Sequence, residues 1–197
     1  WFESGYVTWN LVEGASTYSV YCKSVDGSYS KLDAELVRNY GDYGRADVIG
    51  VKAGTYQFKI VPVDEEGTEM TGQAVESSTF EVKAHDRAGF AHFNYSGVGA
   101  YKDDGTLKDN AKVLYVTSKT AKTVTCPVVT DNKGKVETFT GLQTIIDARQ
   151  KGYDTTPLVI RIIGLIEAND MDHFSSSAEG LQIKGKNANS EMNITLE

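Results

Sequence analysis

From Tyr6 to about Ala84, apolar residues recur at every second position in short runs separated by turn residues, which points to strands rather than helices. Val7, Trp9 and Leu11 alternate with Thr8 and Asn10, and Glu13-Gly14-Ala15-Ser16 makes a turn. Tyr18, Val20 and Cys22 then share one face of a second strand, opposite Ser19, Tyr21 and Lys23. Gly54-Thr55 leads into Tyr56, Phe58 and Ile60, alternating with Gln57 and Lys59, and Asp64-Glu65-Glu66-Gly67 closes that run. Residues 79–83 supply a last strand. Several short strands with turns between them predict a β-sandwich.

The second half has a different grammar. Residues 85–106 form a Gly-rich connector containing Gly89, Gly97, Gly99 and Gly105. Val113-Leu114-Tyr115-Val116 and residues 123–129 read as strands. A helix follows, for which Thr140 is the expected cap and Gln143 its capping-box partner. Leu142, Ile145 and Ile146 make its apolar stripe with Ala148 beside it, and Gly152 suits the left-handed position after its end. Residues 157–164 are a buried strand by their β-branched content, and Leu181-Gln182-Ile183-Lys184 and Asn193-Ile194-Thr195-Leu196 are shorter strand candidates. A helix, a buried strand and a further short strand suit the blunt end of a parallel β-helix, whose apolar bore needs a plug at its first coil. The chain is therefore expected to be mainly β, with domains at 1–84 and 85–197.

At 197 residues both domains can bury a core. Twenty basic against 27 acidic side chains leave a net charge of −7, which argues against nucleic acid as a partner. The same charge opposes unaided binding of a polyanionic sugar, which a metal ion or a local basic patch would have to bridge. The longest apolar run, 158–166, is interrupted by Arg161 and Gly164, so no membrane span is expected. Cys22 and Cys126 show no metal-type spacing and read as two buried free thiols, with a single disulfide as the alternative. The chain opens at Trp1 without a basic or apolar leader, as expected if any signal peptide is removed or left out.

Few residues invite chemistry. Asp170, Asp172 and His173 read as a solvated loop, with a calcium or zinc site as the sharper alternative. Asp103, Asp104 and Asp109 read as a turn, since the twelve-residue calcium-loop pattern is absent. Arg161 lies opposite Leu158, Ile160 and Ile162, so it is expected to point out of the bore, as a surface charge or one covered by the N-terminal domain. With only His85, His92 and His173 present, no nucleophile–base constellation is visible, and Gly97-x-Gly99 precedes no helix and so makes no phosphate loop. Tyr40 and Tyr43, flanked by Gly41 and Gly44, are the candidate binding residues: a flat aromatic platform for a sugar ring, or tyrosines packed in a sandwich loop.

Two resemblances add to this reading. Val7-x-Trp9-x-x-Val12-x-Gly14-Ala15-x-x-Tyr18-x-Val20-Tyr21 resembles the B and C strands of a fibronectin type III domain. Gly50-Val51-Lys52-Ala53-Gly54-Thr55-Tyr56 resembles its E–F corner, where a tyrosine caps the start of strand F, with one residue fewer between Gly54 and that tyrosine. Further on, Gly97-Val98-Gly99-Ala100-Tyr101, Asp104-Gly105-Thr106-Leu107-Lys108 and residues 113–117 resemble the start of the catalytic domain in pectate lyases of gut and rumen bacteria. Gly141-Leu142-Gln143 is similar to the capping helix there, 157–164 to the first-coil strand, and Ile194-Thr195-Leu196-Glu197 to the opening of the next coil.

That resemblance implies a right-handed parallel β-helix in a secreted bacterial protein acting on pectin or polygalacturonate. In such enzymes aspartates hold calcium, and a basic residue, usually arginine, removes the proton beside the uronate carboxylate in β-elimination. Those residues lie on later coils and no position here matches them. The chain is thus expected to hold no catalytic or metal residue, to need no cofactor itself, and to be inactive alone. An uncapped solenoid end bearing Ile183 and Ile194 is expected to favour self-association. A non-catalytic carbohydrate-binding or adhesion protein, or a structural spacer, are the alternatives.

Overall fold

The computed structural model describes residues 2–88, 92, 97–174, 180–183 and 193–197, and it is mainly β. The chain divides into two compact units, one of residues 1–94 with 103–106, the other of 95–102 with 107–197.

The first unit contains two antiparallel sheets. In one, β1 (Ser4–Asn10) pairs with β5 (Tyr43–Ile49), which pairs in turn with β4 (Val37–Asn39). In the other, β2 (Thr17–Ser24) lies between β3 (Ser30–Lys31) and β6 (Gly54–Val63), and β6 also pairs with β7 (Val75–Glu76) and β8 (Phe80–Val82). Their inner faces share one core of Val20, Cys22, Ala46, Val48, Phe58 and Ile60, against which Val7, Trp9, Tyr18 and Phe80 pack. Phe58 and Phe80 stack at 4.9 Å, and Trp9 meets Tyr18 edge-on at 5.1 Å. Trp9 sits directly across from Gly44, where a Cβ would come within 2.2 Å of the indole. Glycine there is space for the ring rather than a turn signal.

The corner before β6 closes as a tyrosine can close it. The Tyr56 hydroxyl donates to the carbonyl of Lys52 at 3.0 Å, so the shorter spacing does not prevent the bond. Leu11, expected to continue the first strand's apolar face, lies beyond the end of β1 and is exposed.

In the second unit β9 (Lys112–Val116), β12 (Leu158–Ile162) and β13 (Ile194–Leu196) form a parallel sheet in chain order. Leu158 stands opposite Lys112 and Ile194, and Ile160 opposite Leu114 and Leu196. Parallel strands with this register stack like side chains along one face. Beside them β10 (Thr125–Val129) and β11 (Val136–Thr140) form an antiparallel hairpin, and α1 (Leu142–Arg149) is the α-helix among the described residues. Leu142, Ile145 and Ile146 are buried with Val116, Val128, Leu158 and Ile160 in a single core. Residues 181–183 form no strand, and Lys184 falls outside the described residues. Ile183 and Leu196 are exposed, and Ile194 is half-buried.

The start of α1 departs from the expected Thr140 cap. The cap position is Gly141, at φ 96°, and it offers no side chain. The open amides are met from elsewhere: Gly141 N donates to Val124 O at 2.9 Å and Leu142 N to Ala121 O at 2.8 Å. Gln143 N and Thr144 N both donate to the Asp172 carboxylate at 3.0 Å. Such bonds satisfy donors that a helix cannot satisfy itself. Gln143 does not fold back as a box partner. Its amide exchanges two bonds with the backbone of Gln182, at 3.0 and 3.1 Å, fixing a segment 39 residues on. Gly152 does take the left-handed position after the helix, at φ 81°.

Candidate functional site

The strand β5 alternates cleanly: Gly44, Ala46 and Val48 are buried, whereas Tyr43, Arg45 and Asp47 point outward. On β1 the outward set is Tyr6, Thr8 and Asn10. On β4, Val37 packs into the core, so Arg38 faces outward, directly across from Arg45. The outer face of this sheet thus brings Arg38, Arg45, Tyr6 and Tyr43 together, with Tyr40 at its tip.

Tyr40 and Tyr43 do come together. Tyr40 N donates to Tyr43 O at 2.9 Å across a turn in which Gly41 takes φ 90° and donates to the Asn39 side chain at 2.8 Å. Their rings stack at 5.2 Å with planes 12° apart, yet Tyr40 is 54% and Tyr43 40% exposed. The pair staples the hairpin and still presents aromatic surface to solvent. Arg45 lies 4.3 Å from the Tyr6 ring centre and grips Asp47 through two bonds of 2.7 and 3.0 Å. The hydrogen bond to Asp47 raises the guanidinium above its ordinary range against partial burial, with Tyr40 and Tyr6 as smaller contributors. A shallow groove of about 220 Å³ lies beside it, lined by Ser4, Tyr6, Arg45 and Asp47. Sequence reasoning found the tyrosines and missed the arginines, which meet only through the pairing of β4 with β5.

The outer face of the other sheet is closed upon itself. Lys59 lies 4.7 Å from the ring centres of both Tyr21 and Tyr29, and Lys23 covers Tyr29 at 4.6 Å. Glu69 accepts from Tyr21 at 2.7 Å and pairs with Lys31 at 3.1 Å, and its hydrogen-bond donors hold its carboxyl down to about 2. Aromatic rings covered by lysines offer no platform.

In the second unit the expected loop residues are structural. Asp172 is not part of a merely solvated loop, because it caps α1, with Thr144 Oγ1 also donating to it at 2.7 Å. Burial pushes its carboxyl up, but these donors outweigh burial and hold it below the ordinary value. His173 spans Asp147 and Asp172 at 3.0 Å each, and Asp170 closes a reciprocal cap with Glu167. Asp104 accepts from the backbone and hydroxyl of Thr106, as a turn aspartate does, and pairs with Lys52 at 3.0 Å. Among the described residues, no three His, Cys, Asp or Glu side chains converge to hold a metal ion.

Arg161 faces away from the apolar ladder of its strand but is no surface charge: it is only 6% exposed. Within its own unit it donates to Glu197 at 2.8 Å, to the Tyr115 hydroxyl at 2.8 Å and to the Tyr101 hydroxyl at 3.3 Å. Burial pushes the Tyr101 hydroxyl up to about 12. A guanidinium held by a carboxylate and two phenol hydroxyls is a structural cation. Cys22 and Cys126 are both free and buried. No protein-family model matches the sequence, and no curated protein sequence matches it at a significant level.

Proposed function

We propose that this chain is the N-terminal accessory and capping region of a secreted pectate lyase-type protein, a fibronectin type III-like module followed by the helix-capped first coils of a right-handed parallel β-helix. The observation that carries this reading is the β9–β12–β13 sheet, in which successive strands stack in parallel and in chain order on a core plugged by α1. Stacking of that kind is what a solenoid coil requires. For the first module, the strand orders β1–β5–β4 and β3–β2–β6–β7 are consistent with the B–E–D and C–F–G pairings of immunoglobulin-like sandwiches, and the Tyr56 corner bond agrees with them.

In this reading calcium and the eliminating base belong to other coils of the parent protein. Among the described residues no set of side chains fits a calcium ion. Elimination needs a base to take the proton and a cation to stabilise the developing charge. The chain alone is therefore expected to release no unsaturated product from polygalacturonate, with or without calcium. Ultraviolet absorbance rising above a protein-free control overturns the assignment. The coding sequence tests the parent directly: further coils carrying clustered aspartates and a basic residue are required beyond Glu197. A non-catalytic carbohydrate-binding protein is the second reading, favoured by the exposed Tyr40–Tyr43 stack.

A further inference from the structure

We propose that the outer face of the β1–β5–β4 sheet binds an acidic oligosaccharide, with Tyr40 and Tyr43 carrying a sugar ring face and Arg38 receiving a uronate carboxylate. This rests on the carbohydrate-binding reading of the Tyr40–Tyr43 stack, to which it adds the charge of the ligand, and not on the lyase reading.

Two like charges placed directly across a strand pair repel, and a fold retains them at a cost. Arg45 is relieved by Asp47 and by the face of Tyr6. Among the described residues Arg38 makes no ion pair, although it is half-buried and held in register with Arg45. A planar guanidinium of that kind matches a carboxylate in two parallel hydrogen bonds. Arg45 spends only two of its five donors on Asp47, so it can contribute to the same anion. On a chain of net charge −7 this is the local basic patch that a polyanionic sugar needs.

The tyrosines select a saccharide over a bare anion. Tyr40 follows Arg38 by two residues and therefore lies on the same side of an extended chain. The apolar C–H face of a pyranose packs against an exposed aromatic surface, while its carboxylate points along the strand toward Arg38, two residues or about 7 Å away, a gap that the long arginine side chain shortens. The other sheet makes the contrast, since its tyrosines lie under Lys23 and Lys59.

The test is titration of the full chain with a galacturonate hexamer and with its fully methyl-esterified counterpart, followed by calorimetry. The acid is expected to bind, and the ester about tenfold or more weakly, because it lacks the charge that Arg38 meets. Arg38→Gln should bring the acid down to the affinity of the ester, and Tyr40→Ala with Tyr43→Ala should abolish both. Melting temperature checks the fold of each variant, and Arg38→Gln, on the outward face of β4, keeps the test open if the tyrosine variant does not fold. Equal binding of acid and ester, unchanged binding by Arg38→Gln, or no binding by the native chain each overturns the proposal. None of these outcomes bears on the coding-sequence test of the lyase reading.

Discussion

The two units solve the same problem, burying a β core, by opposite means. In the first, strands pair antiparallel with their partners through alternating faces, and the corner before β6 is closed from four residues away, by Tyr56 on Lys52. In the second, the sheet is parallel and the helix is finished by residues far away in sequence: Asp172 caps it and Gln182 holds Gln143. The lesson is that period-two alternation reveals which strand faces are buried, whereas the helix of the second unit depends on side chains that local pattern does not reveal.

The largest effect should come from the buried pair Arg149–Asp154, both side chains 1% exposed and 2.6 Å apart. Burial opposes both charges and lowers the arginine. The Asp154 carboxyl is nonetheless held below its ordinary value by Val129 N, Thr156 and Arg149, and these donors decide that the pair is ionised. Asp154→Ala removes the carboxylate that neutralises the buried guanidinium and should cost about 3–5 kcal/mol. Both tryptophans lie in the first unit, so circular dichroism should show an early transition that tryptophan fluorescence misses. A depressed acid stabilises above its unfolded value, about 3.9, and that contribution is lost as pH falls through the folded value. Acid should therefore loosen the second unit, and Asp154→Asn should blunt that response.

Next come the helix-start substitutions. Asp172→Ala should cost about 1–2 kcal/mol, the usual worth of a cap. Gly141→Ala should cost at least as much, because its φ is positive and its Cβ would fall 2.5 Å from the Asp172 carboxyl. If Gly141→Ala is neutral in urea denaturation, the distant cap is not what holds this helix. Tyr56→Phe, removing one short-range bond from the first unit, should cost about 1 kcal/mol, and a larger loss would erase the contrast between the units.

The smallest effect belongs to His173. Its hydrogen bond to Asp147 raises it above its ordinary value against burial, with Asp172 adding to the rise. The stabilisation is present below the unfolded value, about 6.5, and is lost as pH rises through the folded value. The ring is largely exposed, so solvent screening keeps the gain to a few tenths of a kcal/mol, or about that. The stability gap between native protein and His173→Gln should shrink from pH 5.5 to about 8.5, a range set around that value.

Much of the fold was readable in the alternation of Tyr18, Val20 and Cys22, and in the β-branched run of residues 158–162. The strand β5 was not, because its buried positions include the small Gly44 and Ala46, which carry little apolar signal, and Gly44 makes room for Trp9. Thr140 and Gln143 matched a local capping signature, but a tertiary carboxylate took the position. Arg161 was readable as outward-facing, and its burial was not, since Tyr101, Tyr115 and Glu197 reach it from other strands and segments. At the candidate surface Tyr40 and Tyr43 stood out by composition. Arg38 and Arg45 gained meaning only from register.

Each unit also carries one free buried cysteine, Cys22 in the first and Cys126 in the second. Burial pushes Cys22 up to about 11 and raises Cys126, so both stay protonated and chemically silent while folded. Alkylation of either therefore waits for its surroundings to open, and a thiol reagent turns the molecule into two independent stopwatches, one for each unit's excursions from the native state.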